Sequence, residues 1–348
     1  MAVTLKRIAE QCGLSLQTVG AVLSGKADLF RPETVARVQA AATELGYRPN
    51  SAAKAMRFGR FDCAALVLSD NPWRSTLFRP QITGMDHALT AAGMHLVHAI
   101  IPEDDLRARG QVPKIIGELM ADGLLINYNT GIPEALDQVI TKHRLPAIWM
   151  NAKRACDCVY PDDEGAGRQA TEHLLKLGHR RIAYVDYCHA TSHQDHHYSA
   201  LDRQQGYEQA MRAAKLPPRV FTAALAVPTA QIPQAARTWL TAADRPTAVV
   251  TYCEREAEPI FYAATALLGM QVPRDLSIVT IADDPADHTG VPLATVILPR
   301  YELGKVAVEL LVQRIASPRR SLAARALPSR LEAGVSTAPP RERTGASS

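Results

Sequence analysis

From residue 63 onward, short apolar runs alternate with longer amphipathic segments, and this alternation restricts the fold more than any other feature of the chain. Each apolar run has the length of a β-strand and is followed by a segment with helical periodicity. The strands are predicted at 64–68, 95–101, 124–126, 147–150, 182–185, 221–226, 248–251 and 277–281. Such alternation predicts parallel, doubly wound α/β sheets.

The intervening helices are predicted at 76–92, 112–121, 133–143, 167–177, 203–214, 231–242 and 255–268, followed by a late helix at 302–316 and a late strand at 328–335. This is too much chain for one ordinary sheet, so we expect two lobes within a domain at 61–336. The first lobe is assigned 61–162 and 298–327, and the second 163–297 and 328–336. The final residues, 337–348, are rich in Pro, Ser and Arg and are predicted to be disordered.

Residues 1–49 have a purely helical pattern instead. Apolar spacing and capping residues predict three helices, at 4–12, 15–23 and 32–45. Gly13 and Leu14 form a tight turn between the first two helices, and Gly46 ends the third. Two short helices joined by a tight turn and closed by a third helix form the helix-turn-helix arrangement. Residues 50–60 are assigned to a hinge or linker, with one more short helix at 50–57.

Positive charge is concentrated in the same part of the chain. Residues 1–60 contain nine Lys and Arg against four Asp and Glu, whereas the remaining chain contains 30 against 31. A basic head on a neutral body indicates that the head contacts a polyanion. The aromatic content of 5% argues against a surface that stacks many bases.

Composition and motifs also narrow the compartment and the class of activity. The six cysteines are scattered without a CxxC pair, which is typical of reduced thiols in the cytoplasm. No signal-peptide pattern and no run approaching ~18 apolar residues occurs, so we expect a cytoplasmic protein that makes no membrane contact. The chain has no phosphate-binding glycine loop, no HExxH and no paired nucleophile and base. We therefore predict no cofactor, and an enzyme, for example one using metal-assisted hydrolysis at a histidine-rich loop, is the less favoured class.

The second helix of a helix-turn-helix enters the major groove, where outward residues near its start meet base edges. Here these residues are Leu16, Gln17 and Ala21. Gln17 can both donate to and accept from adenine, and Leu16 offers apolar contact to a thymine methyl group. The hydroxyls of Ser15 and Thr18 suit DNA phosphates. From the pattern alone, a three-helix bundle that binds protein remains the alternative.

Several stretches of the chain carry more specific motifs. In the head they are Thr4-Leu5-Lys6-Arg7-Ile8-Ala9-Glu10, Gly13-Leu14-Ser15, Thr18-Val19, Pro32-Glu33-Thr34 and Glu44-Leu45-Gly46-Tyr47-Arg48-Pro49-Asn50. In the body they include Leu177-Gly178-His179-Arg180-Arg181-Ile182-Ala183 and Pro273 to Ile278. Together they resemble the lac repressor/galactose repressor (LacI) family of bacterial transcription regulators over essentially the whole chain.

For the head, the resemblance implies a homodimer that reads the two halves of a near-palindromic, double-stranded operator. It implies that 50–57 forms a hinge helix on DNA, and Met56 stands where the family usually places a leucine that wedges into the minor groove. Gly20 and Ala21 depart from the family's usual serine and larger polar reader. Met56 thus joins the base readers, and phosphate contacts are also assigned to Thr4, Gly20, Asn50, Lys54 and Arg57.

For the body, the resemblance implies the architecture of periplasmic sugar-binding proteins, with a small polar effector, such as a sugar, between two lobes. In such sheets ligands bind at the carboxyl ends of the strands. Arg203 and Asp283 match the family's ligand-binding arginine and cleft aspartate, although they could instead pair with each other or with backbone. The family's Asn-Asp pair is replaced by Cys253-Glu254. The candidate effector-binding residues are Ser69, Asp70, Trp73, Phe78, Asn151, His197, Ser199, Arg203, Cys253 and Asp283.

The segment 188–197 fits the family pattern poorly. It contains four histidines together with Cys188 and Asp195, but the spacing matches no zinc template, so a polar loop over the cleft is favoured over a metal site. The main hypothesis is a DNA-binding transcription regulator, most simply a repressor, controlled by an effector. A sugar receptor without a DNA role and a metal-responsive regulator acting through 188–197 are the alternatives.

Overall fold

The computed structural model describes residues 3–48, 59–71, 74–102, 120–190, 196–287 and 290–341. Several sequence predictions fall outside the described residues: those for Asn50, Lys54, Met56, Arg57 and Trp73, and most of the helix 112–121. The chain divides into two compact units, Met1–Phe61 and Asp62–Ser348. The division falls at the end of the predicted linker.

Unit 1 contains three helices around its own core, as predicted. They are α1 (Leu5–Cys12), α2 (Leu16–Leu23) and α3 (Pro32–Glu44), with a short 3₁₀ turn at Ala27–Leu29. Ile8, Val19 and Val38 are completely buried at the centre. Ser15 caps α2, because its Oγ accepts a hydrogen bond from the Thr18 amide at 3.0 Å. Thr4 occupies the equivalent position of α1, but its side chain makes no capping hydrogen bond.

Unit 2 is built from alternating strands and helices. The described strands are β1 (Cys63–Ser69), β2 (His95–Ile101), β3 (Gly123–Ile126), β4 (Ala147–Met150), β5 (Cys158–Pro161), β6 (Ile182–Ala190), β7 (Val220–Ala223), β8 (Ala248–Thr251), β9 (Ser277–Ala282), β10 (Ala294–Ile297), β11 (Arg325–Leu327) and β12 (Arg330–Glu332). The described helices are α4 (Arg79–Ala91), α5 (Glu134–His143), α6 (Asp163–Lys176), α7 (Tyr198–Ala213), α8 (Ile232–Leu240), α9 (Glu254–Tyr262) and α10 (Arg300–Ala316).

These strands form two six-stranded sheets. The first has the order β11-β5-β4-β3-β1-β2, and the second has the order β12-β10-β9-β8-β6-β7. All neighbouring strands are parallel except β10 and β12. The two doubly wound lobes are therefore confirmed. The late strand predicted at 328–335 is wrong in detail, because β11 and β12 are two short strands that belong to different sheets.

The chain passes between the lobes three times. The passages lie between β5 and α6, between β10 and α10, and between β11 and β12. Because α10 packs on α4 and on strands of the first sheet, each lobe is assembled from separate stretches of the chain. The passages lie close to the predicted lobe boundaries.

Each lobe contains one pair of helices that touch backbone to backbone at glycines. A Cβ atom added to Gly84 of α4 would lie 2.0 Å from the carbonyl oxygen of Tyr301 in α10. In the second lobe, a Cβ atom added to Gly167 of α6 would lie 2.0 Å from the carbonyl oxygen of Arg203 in α7. Only glycine permits these approaches.

The segment after β12 packs against the second lobe, at least to residue 338. The Ala338 amide donates to Ser277 Oγ at 3.1 Å, and the His179 and His173 rings contact Ala338 and Thr337. This part of the predicted tail 337–348 is therefore ordered, whereas 342–348 lies outside the described residues. Within the described ranges, no helix is long and apolar enough to cross a membrane.

Candidate functional site

The exposed start of α2 carries the residues predicted to read bases. Leu16 is 53% exposed and Gln17 is also exposed, whereas Gly20 and Ala21 are half-buried. Val19 faces the core from the opposite side of the helix. A side chain must be accessible near the start of such a helix to reach a base edge. Leu16 and Gln17 meet this requirement better than Ala21 does.

Basic side chains are exposed around the head. Ser15 and Thr18 also bond to each other through their hydroxyls at 2.8 Å, so the residues predicted to contact phosphates also fix the start of α2. Amides at a helix start favour an anion there. The exposed basic residues between residues 3 and 48 are Lys6, Arg7, Lys26, Arg31, Arg37 and Arg48.

In the body, a cavity of about 280 Å³ lies between the lobes at the carboxyl ends of their strands. Residues of the first lobe that line it are Thr76, Phe78, Asn129 and Asn151. The second lobe and the β10–α10 passage contribute His189, His197, Ser199, Arg203, Tyr252, Cys253, Glu254, Arg255, Ile281, Ala282, Asp283, Leu298 and Arg300. A pocket at this edge of two parallel sheets is the expected ligand position for the fold.

Arg300 joins the two walls of the cavity. Its Nε donates to Asp283 of the second lobe, and its Nη1 donates to Asn151 Oδ1 of the first lobe at 3.1 Å. The guanidinium also lies 4.3 Å from the centre of the Phe78 ring, a cation–π distance. Asn151 has a left-handed backbone with φ of 55°, which turns the chain sharply after β4.

Arg203 is held entirely within the second lobe. Its Nε donates to Asp163 Oδ1 and its Nη1 to the Tyr252 carbonyl, both at 2.6 Å. The guanidinium lies 4.4 Å from the Tyr252 ring centre. Arg203 and Asp283 thus have different partners. The alternative in which they pair with each other is wrong, whereas a pairing with backbone is found for Arg203.

A directed chain of hydrogen bonds crosses the cavity from Tyr252 to Asn151. His197 Nε2 lies 2.9 Å from the Asn151 carbonyl oxygen, which can only accept, so Nε2 carries the proton. His197 Nδ1 must then accept from the Ser199 hydroxyl at 2.7 Å. Ser199 in turn accepts from the Tyr252 hydroxyl at 2.9 Å. Burial lowers the pKa of His197 to about 4, which keeps the imidazole neutral and this chain intact at neutral pH.

The remaining wall of the cavity is acidic and contains thiols. Burial raises the pKa of the Glu254 carboxyl. Behind it, burial together with the nearby Asp186 raises the pKa of Glu256 to about 7. Cys253 lines the cavity, and its Sγ lies 3.6 Å from Cys188 Sγ.

The histidine-rich segment is only partly at the cavity. His189 Nδ1 lies 2.9 Å from Asp186 Oδ2, and its ring packs edge-on against Tyr252 with centres 4.5 Å apart. His196 contacts His189, while 191–195 lies outside the described residues. His189 and His197 line the cavity, which fits the favoured interpretation of a polar loop at the cleft.

Most of the described effector candidates converge on this cavity: Phe78, Asn151, His197, Ser199, Arg203, Cys253 and Asp283. Ser69 and Asp70 are not among the described residues that line it. The Ser69 hydroxyl instead accepts from the Asn71 amide at 3.0 Å, so it stabilises the turn after β1.

Sequence reasoning missed Arg300, Tyr252 and Glu254 as cavity residues. Tyr252 and Glu254 flank Cys253, at the end of a strand that had been recognised, and this position was a usable signal. Arg300 begins α10, where a cation is disfavoured by the helix dipole, and that unusual placement was the available signal. Arg300 also follows β10, which the periodicity had not revealed.

Comparison with known proteins agrees with this division of the chain. Residues 4–50 match the family model described as "Bacterial regulatory proteins, lacI family", and residues 171–337 match "Periplasmic binding protein-like domain". The HTH-type transcriptional repressor PurR of Photobacterium profundum is 26% identical over 326 residues, covering 90% of this chain and 92% of that protein. The ribose operon repressor of Escherichia coli K12 is 28% identical over 322 residues, covering 90% and 94%.

Solved structures give the same result at the level of the fold. The lac repressor dimer bound to operator and the anti-inducer ONPF has a TM-score of 0.73 at 22% identity, covering 97% of this chain and 100% of that chain. The complex of the transcriptional regulator CelR with cellobiose has a TM-score of 0.63 at 27% identity, covering 96% and 99%.

Proposed function

Because the chain belongs to the LacI family of bacterial regulatory proteins, we propose that it is a sequence-specific transcription repressor whose affinity for operator DNA is set by a small polar effector. One observation carries the proposal: the same chain presents exposed readers at the start of α2 and a cavity walled by both lobes of its body. In keeping with the family, we propose that it acts as a homodimer on a near-palindromic operator, in the cytoplasm at the nucleoid, and catalyses no reaction.

The charges of the cavity favour an uncharged, hydroxyl-rich effector. Three guanidinium groups line the cavity. Two of them already face a carboxylate, Arg203 with Asp163 and Arg300 with Asp283, while Arg255 donates to Thr229 Oγ1 at 3.4 Å. An anionic effector would have to compete with these partners, and it would also meet the Glu254 carboxyl. Hydroxyl groups can instead accept from the arginines and donate to the carboxylates. The complex of a relative with cellobiose and the ribose operon repressors among the relatives support a sugar as the effector.

The contacts between the walls suggest how the effector acts. Arg300 at the start of α10 bonds to Asp283 of the second lobe, and His197 of the second lobe bonds to Asn151 of the first. A ligand that replaces or strengthens these bonds favours one arrangement of the lobes. Such a ligand shifts the equilibrium between two states by the difference in its affinity for them. We propose that this difference is transmitted to the hinge and so to operator binding.

The proposal is tested with the full-length protein in two steps. Selection from a random duplex library should enrich one near-palindromic sequence, and at least one neutral sugar should change the affinity for that sequence in fluorescence anisotropy. A sugar that binds, as judged by thermal shift, without any enriched duplex would point to a sugar receptor without a DNA role. Glu254→Gln should weaken the sugar response and leave operator affinity unchanged, whereas Glu172→Gln on the exposed face of α6 should leave both unchanged.

A further inference from the structure

Two cysteines that are far apart in sequence meet at the wall of the cavity. Cys188 lies near the end of β6, Cys253 immediately precedes α9, and their Sγ atoms are 3.6 Å apart. Both residues are half-buried, and Cys253 lines the cavity. Small solutes in the cavity can therefore reach at least one of the two thiols.

A buried carboxylate completes the group. One side-chain ligand atom from each of Cys188, Cys253 and Glu256 can be chosen so that all three lie within 4.8 Å of one another. Glu256 is completely buried. Among the described residues, it is these two cysteines and this glutamate whose side chains have the spacing of metal ligands.

The frame of the group is rigid because one carboxylate fixes both cysteine backbones. Glu256 Oε1 accepts from the Cys188 amide at 3.0 Å and from the Tyr187 amide at 2.8 Å, and Oε2 accepts from the Cys253 amide at 2.9 Å. A carboxylate has about four lone-pair positions, so three amides leave one position for a cation. Hydrogen bonds of this kind are what orient the carboxylate ligands of metals.

The distance between the sulfurs is that of a thiol–thiol hydrogen bond, and it also distinguishes between two further chemistries. Two thiolates bound tetrahedrally to zinc, each at about 2.3 Å, lie roughly 3.7 Å from each other, which agrees with the observed 3.6 Å. A disulfide requires about 2.05 Å between the sulfurs, so its formation would need them to move about 1.5 Å closer. The geometry matches the metal dithiolate without movement of the chain.

We propose that Cys188, Cys253 and Glu256 form a binding site for a thiophilic divalent cation such as Zn²⁺. Binding exchanges the two thiol protons for the metal, and these protons are released to solvent. The fourth coordination position is taken by water or by a donor atom of a molecule in the cavity. The site shares Cys253 with the cavity wall, but its proposal does not rest on the proposed control by a sugar, because that control is argued from the arginines and carboxylates of the cavity.

The test uses the reduced full-length protein, purified without a histidine tag, and measures Zn²⁺ binding by competition with a chromophoric chelator in the absence of DNA and sugar. One equivalent per chain should bind, and Cys188→Ser and Cys253→Ser should each weaken binding at least about tenfold. Cys156→Ser, at an exposed cysteine outside the group, should bind as the wild type does. Glu256 is left intact because its carboxylate also joins β6 to α9.

A second measurement needs no variant and so does not depend on folding of the mutants. In the wild-type protein, Zn²⁺ should protect Cys188 and Cys253 from alkylation, as read by peptide mass spectrometry, and leave Cys156 reactive. The proposal is overturned if no Zn²⁺ binds, if both serine variants bind it as well as the wild type, or if the protection is absent. Recovery of a Cys188–Cys253 disulfide in place of the metal would also overturn it.

Discussion

The ion pair between Arg203 and Asp163 permits a quantitative test of how the second lobe is held together. Asp163 is 1% exposed, and Arg203 Nε donates to its Oδ1 at 2.6 Å. In the Arg203→Met variant the carboxylate would stay buried without this counter-charge. Removal of one partner of a buried pair costs about 3–5 kcal/mol, so we expect the free energy of unfolding to fall by that amount.

A second substitution should restore part of the loss. In the Arg203→Met background, Asp163→Asn removes the stranded charge and keeps the shape of the side chain. An uncharged buried group is far less costly than a charged one. We therefore expect the double variant to be more stable than Arg203→Met alone by at least about 1 kcal/mol.

Urea unfolding, followed by the fluorescence of Trp239 in a background with Trp73 and Trp149 replaced by Phe, measures these differences, because Trp239 is buried in the second lobe. Arg212→Met is the control, because Arg212 pairs with Glu208 on the exposed face of the same helix and should change stability by less than about 1 kcal/mol. A cost below about 1 kcal/mol for Arg203→Met, or a double variant less stable than Arg203→Met, would refute the reasoning. If Arg203→Met loses stability as expected, Arg203 is a poor site for testing effector contact, since its loss damages the fold.

Three further expectations concern the head, the acid response and the helix contacts. Gln17→Ala should lose about 1–3 kcal/mol of affinity for the selected operator but keep most binding to scrambled DNA, and an equal loss on both in a gel shift would remove Gln17 from base readout. Because the folded pKa of His197 is about 4, below its ordinary value, protonation favours the unfolded chain, so stability should fall as the pH drops from about 6.5 to 4. His197→Gln should flatten this acid limb in thermal unfolding. Gly84→Ala, whose Cβ would lie 2.0 Å from the Tyr301 carbonyl, should unfold the first lobe in circular dichroism. Gly20→Ala, where the nearest atom is 3.9 Å away, should stabilise its helix by up to about 1 kcal/mol.

The periodicity of the sequence was sufficient to predict the two lobes, but it did not predict every strand. The longer apolar runs, such as β1 and β9, are completely or almost completely buried, so their composition identifies them. β5 and β10 were not predicted, although they have four residues each, as many as the predicted β3, β4 and β8. Their places come from pairing with neighbouring strands in the sheet, which is tertiary information.

The cavity residues show more clearly how far prediction from the sequence reaches. Residues at the carboxyl ends of recognised strands, such as Asn151 and Asp283, were predictable because parallel strands place their ends together. The partner of each residue was not predictable, since Arg300 at the start of α10 contacts both Asn151 of the first lobe and Asp283 of the second. The Cys188–Cys253 contact likewise joins β6 to the start of α9 and leaves no local pattern in the sequence.

The three passages of the chain between the lobes also determine the order in which the protein can be completed on the ribosome. The first lobe lacks its edge strand until Leu327 has been added, and the second lacks one until Glu332 has been added. The head, by contrast, has its own core within its first 48 residues, and units of this kind fold as the chain emerges. Premature termination between residue 48 and Leu327 would therefore leave a complete head without a complete lobe. Nonsense mutations along most of the gene would thus remove effector binding while the DNA-binding head can still fold.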